Sequence, residues 1–355
     1  MIITIVGTGG GGCALACKLK EKGHEVRLLK TSRALNDENF EEVYKNNGIN
    51  CIDNTKNSKK TFFKFDLITR DLKKGVSEAN IVIIVIQSLY HKELAKKIAP
   101  YFEKDQLVLV MPGYMGSLYF KNNSREKDII FAEGESLPYD ARITEKGTVN
   151  ILFENVRNPV AFLPALKSDA GTKILKNIQE NITLRKNIIE SALHNPNLIV
   201  HTIGAIMSAG RIEFSKGEFW MYREAFTPSI WNLVHDLDNE KIKILEKLDL
   251  PKQTFADSFK HRTFENLSED SLTAFKNYAK EGSPKGPNTV DHRYICEDVP
   301  MGLCLMKSLG QKLDVKTPVC DSLINIASSL LKKNFLEQGR TIEDLEITTE
   351  FEVLK

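Results

Sequence analysis

The sequence predicts two architectures in one chain: a doubly wound parallel α/β domain over residues 1–182 and an all-α domain over residues 183–355. Three observations carry this. A β-branched run, Ile2–Val6, breaks into a glycine loop that opens a helix. Short apolar strands then alternate with helical patterns through the N-terminal half, as a parallel sheet requires. Past Asn187 the strand signal fades, and long helical patterns begin with a capping residue followed by proline, at Asn195-Pro196, Thr227-Pro228 and Thr317-Pro318. A chain of 355 residues suits two domains.

Composition narrows the function class. The chain is 42% hydrophobic, enough for a sizeable core, and its 49 Lys+Arg nearly balance 47 Asp+Glu. Bulk charge therefore advertises neither a nucleic-acid nor a membrane partner. The longest pure apolar runs, such as Ile81–Ile86, are too short to span a bilayer. The N-terminal apolar run has no basic segment before it and ends in glycines, unlike a signal peptide. The six cysteines contain no C-x-x-C pair, and several sit in apolar helical patterns. They read as reduced, buried thiols of a cytoplasmic protein. No metal site is assigned.

The elements follow in order. Gly7, Gly9 and Gly12 satisfy G-x-G-x-x-G, with Thr8, Gly10 and Gly11 filling the loop. One glycine permits the tight strand-to-helix turn, one lets backbone approach a pyrophosphate, and one lets the helix pack closely on the strand. The anion then faces free N–H groups at the helix start. All six residues are expected to contact a dinucleotide cofactor. An ordinary glycine turn is the plainer alternative, but the preceding strand and following helix favour the cofactor.

Strand Glu25–Leu29 completes a β–α–β unit. Its tip reads Lys30-Thr31-Ser32-Arg33, where an acid that bonds the NAD ribose would be expected. Two cations and two hydroxyls suit a 2′-phosphate instead. We therefore expect NADP(H) to be preferred and NAD(H) to be possible; the alternative is an exposed polar loop that tolerates NAD. Residues 34–74 are polar, rich in Asn and Lys, and hold short strand-like pieces such as Thr61–Phe65; the Lys/Asn runs read as solvated surface. Ile81–Ile86 reads as a central strand, with Gln87 at its carboxyl end bordering the cofactor. Strands Leu107–Met111 and Asp128–Ala132 follow, and Thr148–Glu154 and Val160–Leu163 are expected near the sheet edge.

The helical half is expected to contain Pro196–Ala209, Pro228–Leu248, Ser271–Lys280, Val299–Lys312 and Pro318–Leu336, with Thr254–Arg262 unassigned. On the first of these, His201, Gly204, Ala205 and Ser208 fall on one face. A second unusual stretch, Asp291–Pro300, packs Asp291, His292, Arg293, Glu297 and Asp298 before a helix start. Asp298 there meets the positive dipole end. On residue type alone, His201 is more readily a structural histidine than a catalyst, and Arg293 and Asp298 could be an inter-helix ion pair.

The chain resembles the octopine/nopaline (opine) dehydrogenase family over nearly its whole length. The resemblance runs through the glycine loop, MPGYMGS (Met111–Ser117), AEGESLPYDAR (Ala132–Arg142), HNPNLIVH (His194–His201), SAGRIE (Ser208–Glu213), YREAFTPSI (Tyr222–Ile230) and HRYICEDVPMGL (His292–Leu303). The motifs around His201 and Arg293 are the specific ones. One departure is Thr202, where the family often has proline. The resemblance implies NAD(P)H-dependent reductive condensation of an amino acid with a 2-oxo acid, with pyruvate as the family-level guess. It implies that His201 is the acid/base, Asp298 its carboxylate partner, and Arg293 the ligand of the oxo-acid carboxylate. These roles agree with the chemistry of imidazole near neutral pH and of guanidinium toward carboxylates. Asn195 caps its helix or touches substrate, and Tyr222 and Glu133 are weaker candidates. Two other functions stay open: a ketopantoate-reductase-like 2-oxo acid reductase, and a dinucleotide-sensing binding protein without catalysis. A cleft between the domains and a homodimer through the helical one are further expectations.

Overall fold

A computed structural model describes residues 1–33, 35–56, 58–125 and 128–347; the end of the expected helical domain, residues 348–355, lies outside the described residues. The strands are β1 (Ile2–Val6), β2 (Glu25–Leu29), β3 (Gly48–Asp53), β4 (Lys60–Lys64), β5 (Leu67–Thr69), β6 (Ile81–Ile84), β7 (Leu107–Val110), β8 (Ile130–Gly134), β9 (Tyr139–Glu145), β10 (Thr148–Glu154), β11 (Asn158–Leu163) and β12 (Ile182–Leu184). They belong to the first of two units, Met1–Ile188; the second begins at Ile189.

The main sheet has the order β12-β11-β8-β7-β6-β1-β2-β5. From β5 to β8 every pairing is parallel, and β11 returns antiparallel to β8. The parallel strands are apolar on both faces because both faces are covered: β6 and β7 are buried throughout. The order reverses between β1 and β6, the switch point where an open α/β sheet binds ligand.

Two expectations change here. The polar stretch 34–74 holds more than its expected strand-like piece Thr61–Phe65, which is β4: the helix Asp37–Asn46 and strands β3 and β5 lie in it as well. Thr148–Glu154 is not at the edge of the main sheet either. As β10 it joins a second sheet, β4-β3-β10-β9. This sheet covers the first helix, Gly10–Glu21, from the side away from β1, and Cys13, Ala14, Cys17, Val149 and Ile151 share one core. That helix is apolar on almost all sides because it lies between two sheets. Its small residues let both approach.

The glycines show how close the approach is. A Cβ on Gly12 would stand 2.1 Å from the Gly7 carbonyl oxygen, and one on Gly10 2.6 Å from that of Ala141 in β9. Gly7 itself has φ +120°, and a side chain there would strike the Val85 carbonyl. The same crossing ends β6 at Ile84, two residues short of the expected Ile86.

The second unit is helical. Pro228–Lys247 and Pro318–Leu331 begin with proline at the first turn, as expected. The unassigned stretch is the helix Phe255–Thr263, whose capping Thr254 Oγ1 accepts from Asp257 N at 3.1 Å. The long pattern from Pro318 breaks at Lys332, which takes φ +52°, and resumes as Phe335–Gln338. Glu240 caps Pro318–Leu331 from a neighbouring helix, accepting from Val319 N at 2.7 Å and Cys320 N at 3.1 Å. No helix among the described residues is long and apolar enough to cross a membrane.

Gly12→Ala is expected to destabilise the protein by about 1–3 kcal/mol, because the clash is with backbone that cannot rotate away. Gly210→Ala, in the helix Ala209–Phe214 with nothing within 4 Å of its Cβ, should stabilise by about 0.5–1 kcal/mol. Urea unfolding midpoints at unchanged m-value check both.

Candidate active site

Two residue sets were expected to carry function, and each forms within its own unit. In the first unit the glycine loop leads into a helix whose start no side chain caps. Gly9 is extended (φ −79°, ψ −177°), and the helix begins at Gly10. The N–H groups of that first turn have no acceptor within the helix. Thr8 is 2% exposed, and its Oγ1 is buried with no partner among the described residues. An uncapped helix start beside an orphaned hydroxyl is what a pyrophosphate would complete, so these residues fit a dinucleotide. Gly10 and Gly11 have a further reason to be glycine: a Cβ on Gly11 would sit 2.4 Å from Leu137. Gln87 is half-buried at the end of β6, beside the crossing over Gly7.

The basic tip differs from its expected form. Lys30 is turned inward, 6% exposed, with its ammonium on the Leu35 carbonyl. A buried ammonium needs such an acceptor; burial lowers its pKa, against the pull of Asp37. Thr31 is half-buried, and Ser32 and Arg33 are exposed. Arg70, which was not anticipated, supports the tip by donating to the Ser32 carbonyl at 2.8 Å while pairing with Asp37 and Glu41, each at 2.6 Å. Its place beyond β5 is far in sequence, so no local pattern marked it.

Glu133 proves to be a loop clamp. It is fully buried, and its two oxygens accept from Met115 N at 2.9 Å and Ser117 N at 2.7 Å. The loop it holds follows β7 and contains Tyr114 and Met115 at φ +48° and +62°. Gly113 leaves room for that carboxylate.

In the second unit His201 lies on the helix Asn197–Ile206, 6% exposed. Its Nδ1 is 2.8 Å from Asp298 Oδ2, and Asp298 is 1% exposed. Asp298 stands at the entry to a π-helical turn, Val299–Leu303, that joins the short helix Arg293–Cys296 to Cys304–Lys312. The expected helix Val299–Lys312 thus begins with a widened turn, a feature that recurs at functional sites. Arg293 Nε donates to the buried Glu297 Oε2 at 3.0 Å, and the Arg293 side chain is 37% exposed. Among the described residues its Nη1 and Nη2 have no partner. Glu297 foremost, with Asp298 beyond it, keeps the guanidinium charged.

The remaining candidates fall elsewhere. Asn195 Oδ1 accepts from Asn197 N at 3.0 Å, which is a cap, while its buried Nδ2 has no partner among the described residues. Tyr222 joins Phe226, Phe275 and Tyr278 in an aromatic cluster beside a groove of about 400 Å³. Ser208 is off the His201 face, because the helix ends at Ile206 and Ser208 starts the next. Gly204 is closely approached, but by Met221 and Phe226. Thr202 donates to the Leu198 carbonyl at 2.7 Å, so the helix runs on through it.

Residues 184–331 match the family model described as NAD/NADP octopine/nopaline dehydrogenase, alpha-helical domain. The stretch holds the His201–Asp298 pair and Arg293. The chain thus carries the helical domain of the octopine/nopaline dehydrogenases. It is accordingly an NAD(P)-dependent dehydrogenase acting on a CH–NH bond. Residues 2–117 match the N-terminus of NAD-dependent glycerol-3-phosphate dehydrogenase. The opine dehydrogenase of Arthrobacter sp. (strain 1C) is 29% identical over 292 residues, 80% of this chain and 79% of that protein. A solved octopine dehydrogenase, in complex with NADH and agmatine, superposes with TM-score 0.78 at 18% identity, covering 100% of this chain and 98% of that one. A ketopantoate reductase from Ralstonia eutropha JMP134 superposes less well, with TM-score 0.63 at 14% identity over 94% of this chain and 99% of that one. Both likenesses support the expected fold.

Asp298→Asn is expected to lower kcat by about two to four orders of magnitude with little change in thermal stability. An amide at this position lets Nδ1 become the acceptor and so stabilises the wrong imidazole tautomer. Steady-state oxidation of the reduced cofactor measures it.

Proposed function

We propose that the protein condenses an amino acid with a 2-oxo acid, pyruvate by preference, to an N-(carboxyalkyl) amino acid, with NADP(H) as the preferred dinucleotide. The observation that carries this is a buried imidazole–carboxylate pair five residues from an arginine whose Nη edge is open. His201 is the acid/base, Asp298 its orienter and Arg293 the oxo-acid ligand.

Each residue's part follows from its geometry. Glu297 occupies Nε of Arg293 and leaves the Nη1/Nη2 edge for a carboxylate, which a guanidinium binds with two parallel bonds. Asp298 accepts the Nδ1 proton, so the mobile proton belongs to Nε2 of His201. As the amine nitrogen adds to the carbonyl carbon, Nε2 takes a proton from that nitrogen. It returns that proton to the carbonyl oxygen to make a hydroxyl; a second proton, drawn from solvent through the same ring, goes to that hydroxyl as the C–O bond breaks, water leaves and a protonated C=N bond remains. Asp298 stabilises the imidazolium between these transfers. The reduced dinucleotide, when bound, supplies the hydride that reduces the C=N bond. Gly7, Thr8, Gly9, Gly10, Gly11 and Gly12, with Gln87, would hold it in the first unit. Asn195 is read as a helix cap that also offers Nδ2 to substrate, and Tyr222 as a wall of the aromatic groove.

The NADP(H) preference rests on Arg33, which is exposed and makes no ion pair among the described residues, beside Thr31 and Ser32. The six free cysteines, five of them buried, support a cytoplasmic protein. A homodimer through the helical unit is favoured by Ile326 and Leu330, 43% and 44% exposed one turn apart on Pro318–Leu331.

The deciding experiment is a panel of amino acids with pyruvate and NADPH, followed by absorbance and product mass. Turnover that needs the amine supports the condensation. Equal turnover without it identifies a simple 2-oxo acid reductase, and none with any pair a binding protein. Arg293→Ala should raise KM for the oxo acid about 100-fold, the loss of a charged bidentate contact, and leave KM for NADPH unchanged. Arg33→Ala should lower the NADPH-over-NADH ratio of kcat/KM about tenfold; an unchanged ratio would reject the tip as the phosphate reader.

A further inference from the structure

The turn that carries Arg293 also carries a ring the chemistry above does not use. Tyr294, 8% exposed, lies flat on the imidazole of His201, with centroids 3.5 Å apart and planes within 15°. His292 meets Tyr294 edge-on, with centroids 4.6 Å apart and planes at 89°. The centroid separation is the bare thickness of two stacked rings, so the rings are eclipsed rather than offset.

Neutral aromatic rings avoid that arrangement, because their negative faces repel and offset or tilted pairs are preferred. A cation over the same face is attracted. The stack is therefore poor for neutral imidazole and good for imidazolium. It also constrains the ring mechanically. The Asp298 bond sets the in-plane direction of Nδ1, but a ring held at one atom can still pivot about that bond. The tyrosine face removes the pivot.

We propose that Tyr294 is a positioning residue that fixes the plane of the His201 imidazole and, through its π face, favours the protonated ring. The proposal rests on the acid/base reading of His201. The protonated ring is the form that must give a proton to the departing hydroxyl, so a device that stabilises it assists the dehydration step. Asp298 acts in the same direction, and Glu297 balances Arg293 on the same turn. The other elements packed on the His201 helix bring buried or bonded charges with partners of their own. Asp238 accepts from Phe255 N, Lys241 donates to the Gln253 carbonyl, Glu240 caps Pro318–Leu331, Asp321 pairs with Lys307, and Glu224 with Arg211. His292 lies against Tyr294, so its own resonance must be followed.

The test is the titration of the His201 ring by nitrogen-15 NMR in the intact, cofactor-free protein. Three variants are compared with the unmodified protein: Tyr294→Phe, Tyr294→Leu and Tyr294→pentafluorophenylalanine. The last keeps the shape and reverses the charge of the ring face, so it tests the π face even if Tyr294→Leu fails to fold. Tyr294→Phe should leave the midpoint in place. The other two should lower it by about half to one pH unit, and the acid limb of kcat/KM should move with it. An unmoved midpoint in the fluorinated variant overturns the proposal. So does a fall in Tyr294→Phe as large as in the other two, which would assign the effect to the hydroxyl. The titration needs no turnover, so failure of the condensation assay would leave this result readable.

Discussion

A hydrogen bond of 2.8 Å joins His201 to Asp298 across 97 residues of sequence, and the arrangement of the helical unit serves it. The histidine rides on a regular helix that buries nearly every side chain it has. The carboxylate stands where a short helix gives way to a π turn. A carboxylate buried this deeply needs hydrogen-bonded compensation, and the imidazole supplies it. The same bond settles which ring nitrogen is the donor, so packing and proton chemistry are decided by one contact. Tyr294 and Arg293 come from the turn just before it. The residue that orients the ring, the residue that faces it and Arg293 therefore share one short stretch of chain.

The first unit depends on a different constraint, which is steric. The helix Gly10–Glu21 is pressed between two sheets at distances no side chain would allow, with Gly12 against the Gly7 carbonyl and Gly10 against Ala141. A run of glycines that reads as a phosphate loop thus has two uses. One leaves backbone N–H groups free at the helix start, where no side chain caps them. The other lets β9 close over the helix start. The uncapped helix end and the unpartnered Thr8 hydroxyl belong to the first use, and Leu137 and Ala141 to the second. Glu133 does for the loop after β7 what glycines do here: it allows an otherwise strained backbone to persist by bonding two of its N–H groups.

What was legible beforehand had local causes. Glycine spacing, β-branched runs and proline after a capping residue are short-range signals, and they located the parallel strands and most helix starts. In the polar stretch after β2 only the strand-like piece that is β4 was legible; β3 lies in a small second sheet whose partner β10 is distant in sequence. The helix Phe255–Thr263 was missed for want of a clear apolar period, although Thr254 and Asp257 had the spacing of a cap. Lys30 looked like a surface cation; only the path of the following loop turned it onto a carbonyl.

By itself the sequence determined the nucleotide-binding half, the helical half, and the residue types from which an acid/base and a carboxylate ligand are made, because these follow from local propensity and side-chain chemistry. Tertiary structure alone decided which nitrogen of His201 meets Asp298, that Tyr294 covers the ring, that Arg293 keeps its Nη edge open, and that Tyr222 packs among other aromatics. These are distances and orientations between segments far apart in the chain. They arise when the core closes, and no spacing along the sequence encodes them.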